Sequence, residues 1–304
     1  MSPRPATARP DAVLRDEDLP ALWQDLGLPG LLDVHVHFMH PKVLAKVWAY
    51  FDAAGPKLGR SWPITYRGSD EERVAHLRSM GVRRFSTLSY AHRPGVATFM
   101  NDWTLAFAAA TPDAWRSATF YPEPEAAGYV PALVEEGVDV FKAHLQVGEF
   151  AADDPLLDPV WGTLAESGTP IVLHAGSGPA PGAHTGPQGV ERVMARFPSL
   201  RLVIAHLGMP EYAEFLDLAD RFENLRLDTT MAFVDFFDPP DDPSLPSRLR
   251  DLAPRILFGT DFPNIPYAYA HQVEVLQRLD LGDDWMRSVL WHNAADLLGA
   301  TPHE

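Results

Sequence analysis

The sequence predicts an α/β protein, a (β/α)8 barrel distorted by a long insertion after its first strand. Three observations predict it. Eight short apolar runs are spread between residues 31 and 263, each near-continuous in Val, Ile, Leu and Phe, as in parallel strands buried on both faces. Helical stretches separate most of them. The β/α rhythm fills about 270 residues, the size of such a barrel. An open doubly wound sheet has the same local pattern, and the eight strands favour closure.

In chain order, LLDVHVH (31–37) alternates like a strand. RRFSTLSY (83–90), WRSATFYP (115–122) and VDVFKAHLQ (138–146) follow, then PIVLHAG (170–176), RLVIAHLG (201–208), LRLDTTMA (225–232) and RILFGTDFP (255–263). Between them, 69–80 opens with Ser69 and acidic residues, a helix N-terminal signal, and 158–168 ends at Gly168, a C-terminal one. Helical spacing also marks 209–222, 271–279 and 291–299. Residues 38–68 break the rhythm and hold Trp48, Tyr50, Phe51, Trp62 and Tyr66. On a barrel this connection overlies the C-terminal face, so it reads as a lid with an aromatic wall or as a satellite core under a long loop. Residues 1–20 read as a surface arm, partly disordered, and 21–304 as a single domain. AGSGPAPGAHTGPQG (175–189) lacks Gly-Lys-Ser/Thr and reads as an irregular loop bordering the site.

Composition narrows the function. With 25 Lys+Arg against 41 Asp+Glu, the net charge is −16, a poor surface for a polyanion, and no basic stripe rescues a nucleic-acid partner. No run approaches a membrane span or a signal core, so a cytoplasmic protein without a membrane partner is expected. Cysteine is absent, so any metal must be held by nitrogen and oxygen. A small-molecule substrate and a possible homo-oligomer complete the expected partners.

Five of the twelve histidines lie in the strand runs: His35, His37, His144, His174 and His206. A fifth run, the last, ends in Asp261. Such clustering at strand C-termini places them on the rim where barrel enzymes work. His35 and His37 are two apart and leave one strand face, about 7 Å apart, with Asp33 one step earlier on the same face. They can converge on one ion, with His174 and Asp261 completing three nitrogens and a carboxylate. That set suits Zn²⁺, with Mn²⁺ or Fe²⁺ also compatible.

DVHVH, FKAH, VLHAG, VIAHLG and GTDFP, in this order, resemble the amidohydrolase superfamily, and most its amidohydrolase-related branch of metal-dependent hydrolases and non-oxidative decarboxylases. The resemblance spans about residues 31 to 299, with NAADLLG similar to the branch's closing helix. It implies His35, His37, His174 and Asp261 as metal ligands, Asp261 as proton acceptor, and His206 beside the ion, polarising substrate or positioning water. Lys142 is a third catalytic candidate. In binuclear members a fourth-strand lysine is carboxylated and bridges two metals, with His174 and His206 on the second ion; in this branch one metal is the common case, and Lys142 would then meet a substrate carboxylate or Asp261. One ion is the expectation. His144 shares the Lys142 face; with His92, Arg93, Trp48 and Trp62 it forms the expected substrate-binding set.

Three functions follow. The first is hydrolysis of an amide, lactone or related carbonyl by metal-activated water. The second is metal-dependent decarboxylation or hydration of an aromatic or unsaturated acid. Decarboxylases of the branch often carry Asp-Tyr-Pro with a following Phe at the last strand; GTDFPN departs from that and favours hydrolysis. The third is a non-catalytic metal-binding barrel, which the full set of catalytic-type positions argues against.

Overall fold

The computed structural model describes residues 13–238, 240 and 242–301. Eight strands run in chain order: β1 Leu31–Asp33, β2 Val82–Phe85, β3 Ser117–Thr119, β4 Val140–His144, β5 Ile171–His174, β6 Leu202–Ile204, β7 Leu225–Asp228 and β8 Ile256–Leu257. Each coincides with one of the apolar runs. β3 to β8 pair as parallel neighbours, and β1 pairs with β2. Two seams complete the ring. The Phe85 N–H donates to the Asp113 carbonyl and the Trp115 N–H to that of Phe85, joining β2 to β3. Between β1 and β8, the Val34 N–H donates to the Phe258 carbonyl (3.0 Å), Asp261 to His35 (2.8 Å) and His37 to Phe262 (2.7 Å). The result is a distorted (β/α)8 barrel, closed at these seams by a few bonds each.

Alternation along the strands sorts the core into two layers. Val140, Val172, Val203 and Leu257 point inward, where they meet Trp115 and, on the closing helix Asn293–Leu298, Ala294 and Leu297. That helix plugs the N-terminal end of the barrel, and the Trp115 indole donates to the Gly299 carbonyl. Phe141, Ile171, Leu173, Leu202 and Ile256 point outward into the larger layer shared with the surrounding helices. The predicted helix signals are used: Ser69 and Glu72 form a reciprocal cap on Asp70–Ser79, and Gly168 ends Asp158–Ser167 at φ 70°. No helix among the described residues is long and apolar enough to cross a membrane.

The insertion folds as two helices, Pro41–Ala53 and Gly55–Leu58. Phe51 stacks on Trp62 (4.9 Å between rings), and Trp62 also packs against Phe236 and Phe237 from the loop after β7. The Thr65 N–H donates to the Ile265 carbonyl, docking the segment onto the loop after β8.

Residues 1–12 of the expected N-terminal arm lie outside the described residues. Its remainder is tied down. The Asp16 carboxylate accepts from Tyr66 Oη (2.5 Å) and the Ala270 N–H (2.8 Å) and faces His76 Nε2 (2.9 Å). Burial alone would raise the Asp16 pKa; the His76, Tyr66 and Ala270 contacts outweigh it and hold the carboxyl below its usual value. A carboxyl lowered by folding contributes fully above its unfolded pKa and loses that contribution as pH falls through the folded one. Unfolding free energy should therefore decline as pH falls below about 4, with part of the slope missing in Asp16→Asn. Denaturant titrations across that range check it, and identical slopes would remove Asp16 from the account.

Candidate active site

β1 does not keep its alternation to the end. Leu32 and Val34 join the inner layer, Val36 and Phe38 the outer one, and the chain bends at Val34. His35 and His37 therefore face the barrel mouth while Asp33 turns away, contrary to the expectation that all three share a face. Asp33 accepts from Thr260 Oγ1 (2.6 Å) and Tyr269 Oη (2.9 Å), and its other oxygen accepts from the His35 N–H (3.1 Å). That local bond to the backbone competes with the strand and breaks its period. Burial raises the Asp33 carboxyl to about 7 against these bonds.

The partners of the two histidines set their tautomers. His37 Nδ1 lies 2.8 Å from the Leu88 carbonyl and His35 Nδ1 lies 2.9 Å from Asp228 Oδ2. A carbonyl and an ionised carboxylate only accept, so both Nδ1 atoms carry the proton. Both Nε2 atoms then present lone pairs to Asp261 Oδ1, at 3.5 Å from His35 and 2.6 Å from His37. One ligand atom from each of His35, His37 and Asp261 lies within 4.8 Å of the others. Converging lone pairs, with each second ring nitrogen already engaged, fit a divalent cation bound through nitrogen and oxygen.

The charges around this trio agree. Burial, then the Lys142 charge, pushes His35 down to about 4. Burial would raise Asp261, but His37, once its Nε2 carries a proton 2.6 Å from Oδ1, holds it far below the carboxylate range, and a cation taken up by the same lone pairs would act in the same direction. Asp228 is likewise held down, by His35 first, against its own burial. Lys142, 1% exposed, sits with Nζ 3.2 Å from His35 Nε2. Burial lowers it to about 8 against the pull of Asp228 and Asp261.

His206 follows β6 in a left-handed conformation (φ 57°). Its N–H donates to Asp228 Oδ1 (2.9 Å), and its Nδ1–H donates to the Thr230 carbonyl (3.1 Å), so Nε2 is left as an acceptor. Its ring is 5.1 Å from that of His35, and burial, with His35 next, lowers it to about 4. His174 lies beside the trio. Its Nε2–H donates to the Gly178 carbonyl (2.9 Å), leaving Nδ1 with the lone pair. Its ring stacks on His144 at 3.8 Å and 10°. Burial keeps both of these rings neutral, well below the usual histidine value.

These groups line one cavity of about 70 Å³. Its outer wall is Phe51, Trp62, Tyr90, Phe237, Met209 and Met231, with Asn264 set among them. Of the expected substrate residues, His144 and Trp62 line this cavity. Trp48 does not: its indole donates to Asn264 Oδ1 (3.0 Å) from behind the wall. His92 and Arg93 are exposed and outside it, because Tyr90 takes the inward position at the end of that run. Tyr90 and Asn264 were not picked out from the sequence, although both stand at ends of strand runs. A larger groove of about 520 Å³ between the helices Asp70–Ser79 and Ala97–Ala110 carries none of the histidines.

The Asp228 contact gives a direct test. In Asp228→Asn the amide can donate to His35 Nδ1, which moves the ring proton to Nε2 and removes the lone pair. Mn²⁺ or Zn²⁺ affinity should fall about 10–100-fold with the fold intact. Calorimetry with circular dichroism reads this, and unchanged affinity would rule out the tautomer argument.

The sequence profile of the amidohydrolase family matches residues 32–300. No curated protein matches the chain. Among solved structures, the fold is similar to an uncharacterised TIM-barrel protein from Bordetella bronchiseptica (TM-score 0.73, 21% identity, 89% of this chain and 99% of that one). It is also similar to a 5-carboxyvanillate decarboxylase from Novosphingobium aromaticivorans, solved with manganese (TM-score 0.60, 14% identity, 88% and 96%). A candidate 2-pyrone-4,6-dicarboxylic acid hydrolase from Pseudomonas putida is similar as well (TM-score 0.58, 16% identity, 90% and 98%).

Proposed function

The chain belongs to the amidohydrolase family, and we propose that it is a metal-dependent hydrolase acting on the carbonyl of a small organic substrate, an amide, a lactone or a relative of these. The observation that carries the proposal is the convergence of His35 Nε2, His37 Nε2 and Asp261 Oδ1, with both Nδ1 protons already donated elsewhere. One divalent ion held by His35, His37, Asp261 and His174 would supply Lewis acidity and activated water. Zn²⁺ suits the donor set, and manganese, present in one solved neighbour, is the other choice.

The chain's own groups divide the remaining work. Asp261, kept ionised, can take a proton at its carboxylate. His206, neutral and with Nε2 open to the cavity, can accept a hydrogen bond or a proton from an attacking or departing oxygen. Lys142 balances Asp228 and Asp261, and a substrate carboxylate is its other partner. The aromatic wall excludes water and orients an apolar body. Carboxylation of Lys142 to bridge two ions is the alternative, and metal stoichiometry distinguishes it. Decarboxylation on the same ligands is the second reading, favoured by the likeness to the carboxyvanillate enzyme.

His35→Ala combined with His37→Ala should abolish metal binding while the thermal transition persists; full occupancy in that variant would sink the assignment. His206→Ala should keep its metal and lose about 10²–10³ in kcat, the value of one transition-state hydrogen bond. A product screen over lactones, amides and hydroxybenzoates separates the readings: acid release supports hydrolysis, CO2 release supports decarboxylation, and no turnover with metal bound supports a binding barrel.

A further inference from the structure

Asn264 is 3% exposed and lines the cavity. Two indoles of the insertion clamp it. Trp48 Nε1–H donates to Oδ1 at 3.0 Å, and Trp62 Nε1–H donates to its backbone carbonyl at 2.7 Å. An indole N–H is a donor only, so the amide oxygen must be the atom facing Trp48. The amide nitrogen is thereby fixed on the other side, and among the described residues it has no hydrogen-bond partner. An amide N–H2 that opens on a cavity without a protein partner is a donor free to meet an acceptor there.

The rest of the wall says what kind of acceptor. Among the described residues, no arginine lines the cavity, and its only cationic side chain is Lys142, on the floor beside Asp228 and Asp261. Phe51, Trp62, Phe237, Met209 and Met231 surround the space above, with the neutral Tyr90 hydroxyl as the other polar group. A second carboxylate placed there would be desolvated without a counter-charge, which is costly. An uncharged oxygen would meet a matched donor.

We propose that Asn264 is a specificity-determining residue that binds an uncharged oxygen of the substrate, a carbonyl or an ether, and that Trp48 is the positioning residue that orients its amide. The substrate class is then a small aromatic or acyl compound with one carboxylate or carbonyl for the metal end and a neutral oxygen acceptor at the Asn264 end, and not a dicarboxylate. This deepens the metal-dependent reading of the same cavity and rests on it.

The test is equilibrium binding to the manganese-loaded protein of the 3- and 4-substituted acetylbenzoates, ethylbenzoates and benzenedicarboxylates. One acetyl isomer should bind about tenfold more tightly than its ethyl and carboxyl counterparts, the worth of one good hydrogen bond. Asn264→Asp keeps the acceptor for Trp48 and replaces the donor with a carboxylate, so the acetyl advantage should vanish. Trp48→Phe should shrink the advantage although Trp48 does not touch the cavity, an effect loss of packing alone would not confine to the acetyl compounds. Manganese stoichiometry should stay at the wild-type level in both variants. Equal binding of acetyl and ethyl compounds, tighter binding of a dicarboxylate, or an acetyl advantage that survives Asn264→Asp would overturn the proposal. Failure to bind manganese would count against the metal reading instead, because the acetyl–ethyl comparison holds ring and carboxylate constant.

Discussion

The site depends on the seam between β1 and β8. The hydrogen bond from the Asp261 N–H to the His35 carbonyl and that from the His37 N–H to the Phe262 carbonyl are backbone bonds between the two ligand-bearing segments. They place the carboxylate opposite the histidines before any side chain chooses a rotamer. Asp261 sits at φ 71°, a left-handed conformation that costs a non-glycine residue about 1–3 kcal/mol unless its surroundings hold it. The seam bond, the Asn264 N–H on the Asp261 carbonyl and the bond from Thr260 Oγ1 to Asp33 are the parts that hold it. Gly259, three residues after Ile256, belongs to the same constraint: a Cβ there would lie 2.7 Å from that of His35 and 2.3 Å from Thr230 Oγ1.

Asp228 does on the β6–β7 side what the seam does on the other. One oxygen accepts the His206 and Thr230 N–H groups, and the other accepts His35 Nδ1–H. A single buried carboxylate thus orients a ligand from β1, steadies the left-handed turn after β6 and caps the end of β7. Such a network is favourable only when every member is satisfied, and removing this acceptor would strand three donors at once. Around it, burial keeps His144, His174 and His206 neutral, so the mouth offers lone pairs rather than repelling charges.

Much of this is legible in the sequence because it rests on period and position. Near-continuous apolar runs mark the strands, and histidines at their ends mark the rim, so the barrel and the trio His35, His37 and Asp261 follow from spacing. What escapes depends on which way a side chain turns once the chain is folded. Asp33 sits two residues before His35, and period two puts them together; a side-chain bond to the His35 N–H sends it to the outer layer instead. His174 stands on the predicted rim, but the Gly178 carbonyl takes its Nε2–H and decides which nitrogen remains. Trp48 and Trp62 look equivalent as insertion aromatics, yet one faces the cavity and the other grips Asn264 from behind. No local pattern distinguishes them, because the difference is made by a residue some two hundred positions away.

That last relation bears on how such a barrel can change its substrate. The loop after β8 carries both Asp261, a metal-ligand position, and Asn264, three residues on, and the insertion holds this loop through two indole N–H bonds and the Thr65–Ile265 backbone bond. Chemistry and recognition are therefore mounted on one short turn. The chemistry is constrained by the seam and by Asp228, both internal to the barrel. Recognition is constrained by the insertion, which contributes none of the ligands. Changes in the insertion can re-aim Asn264 or exchange the aromatic wall while His35, His37 and Asp261 keep their places, because the two sets of constraints share no bond other than those to this turn.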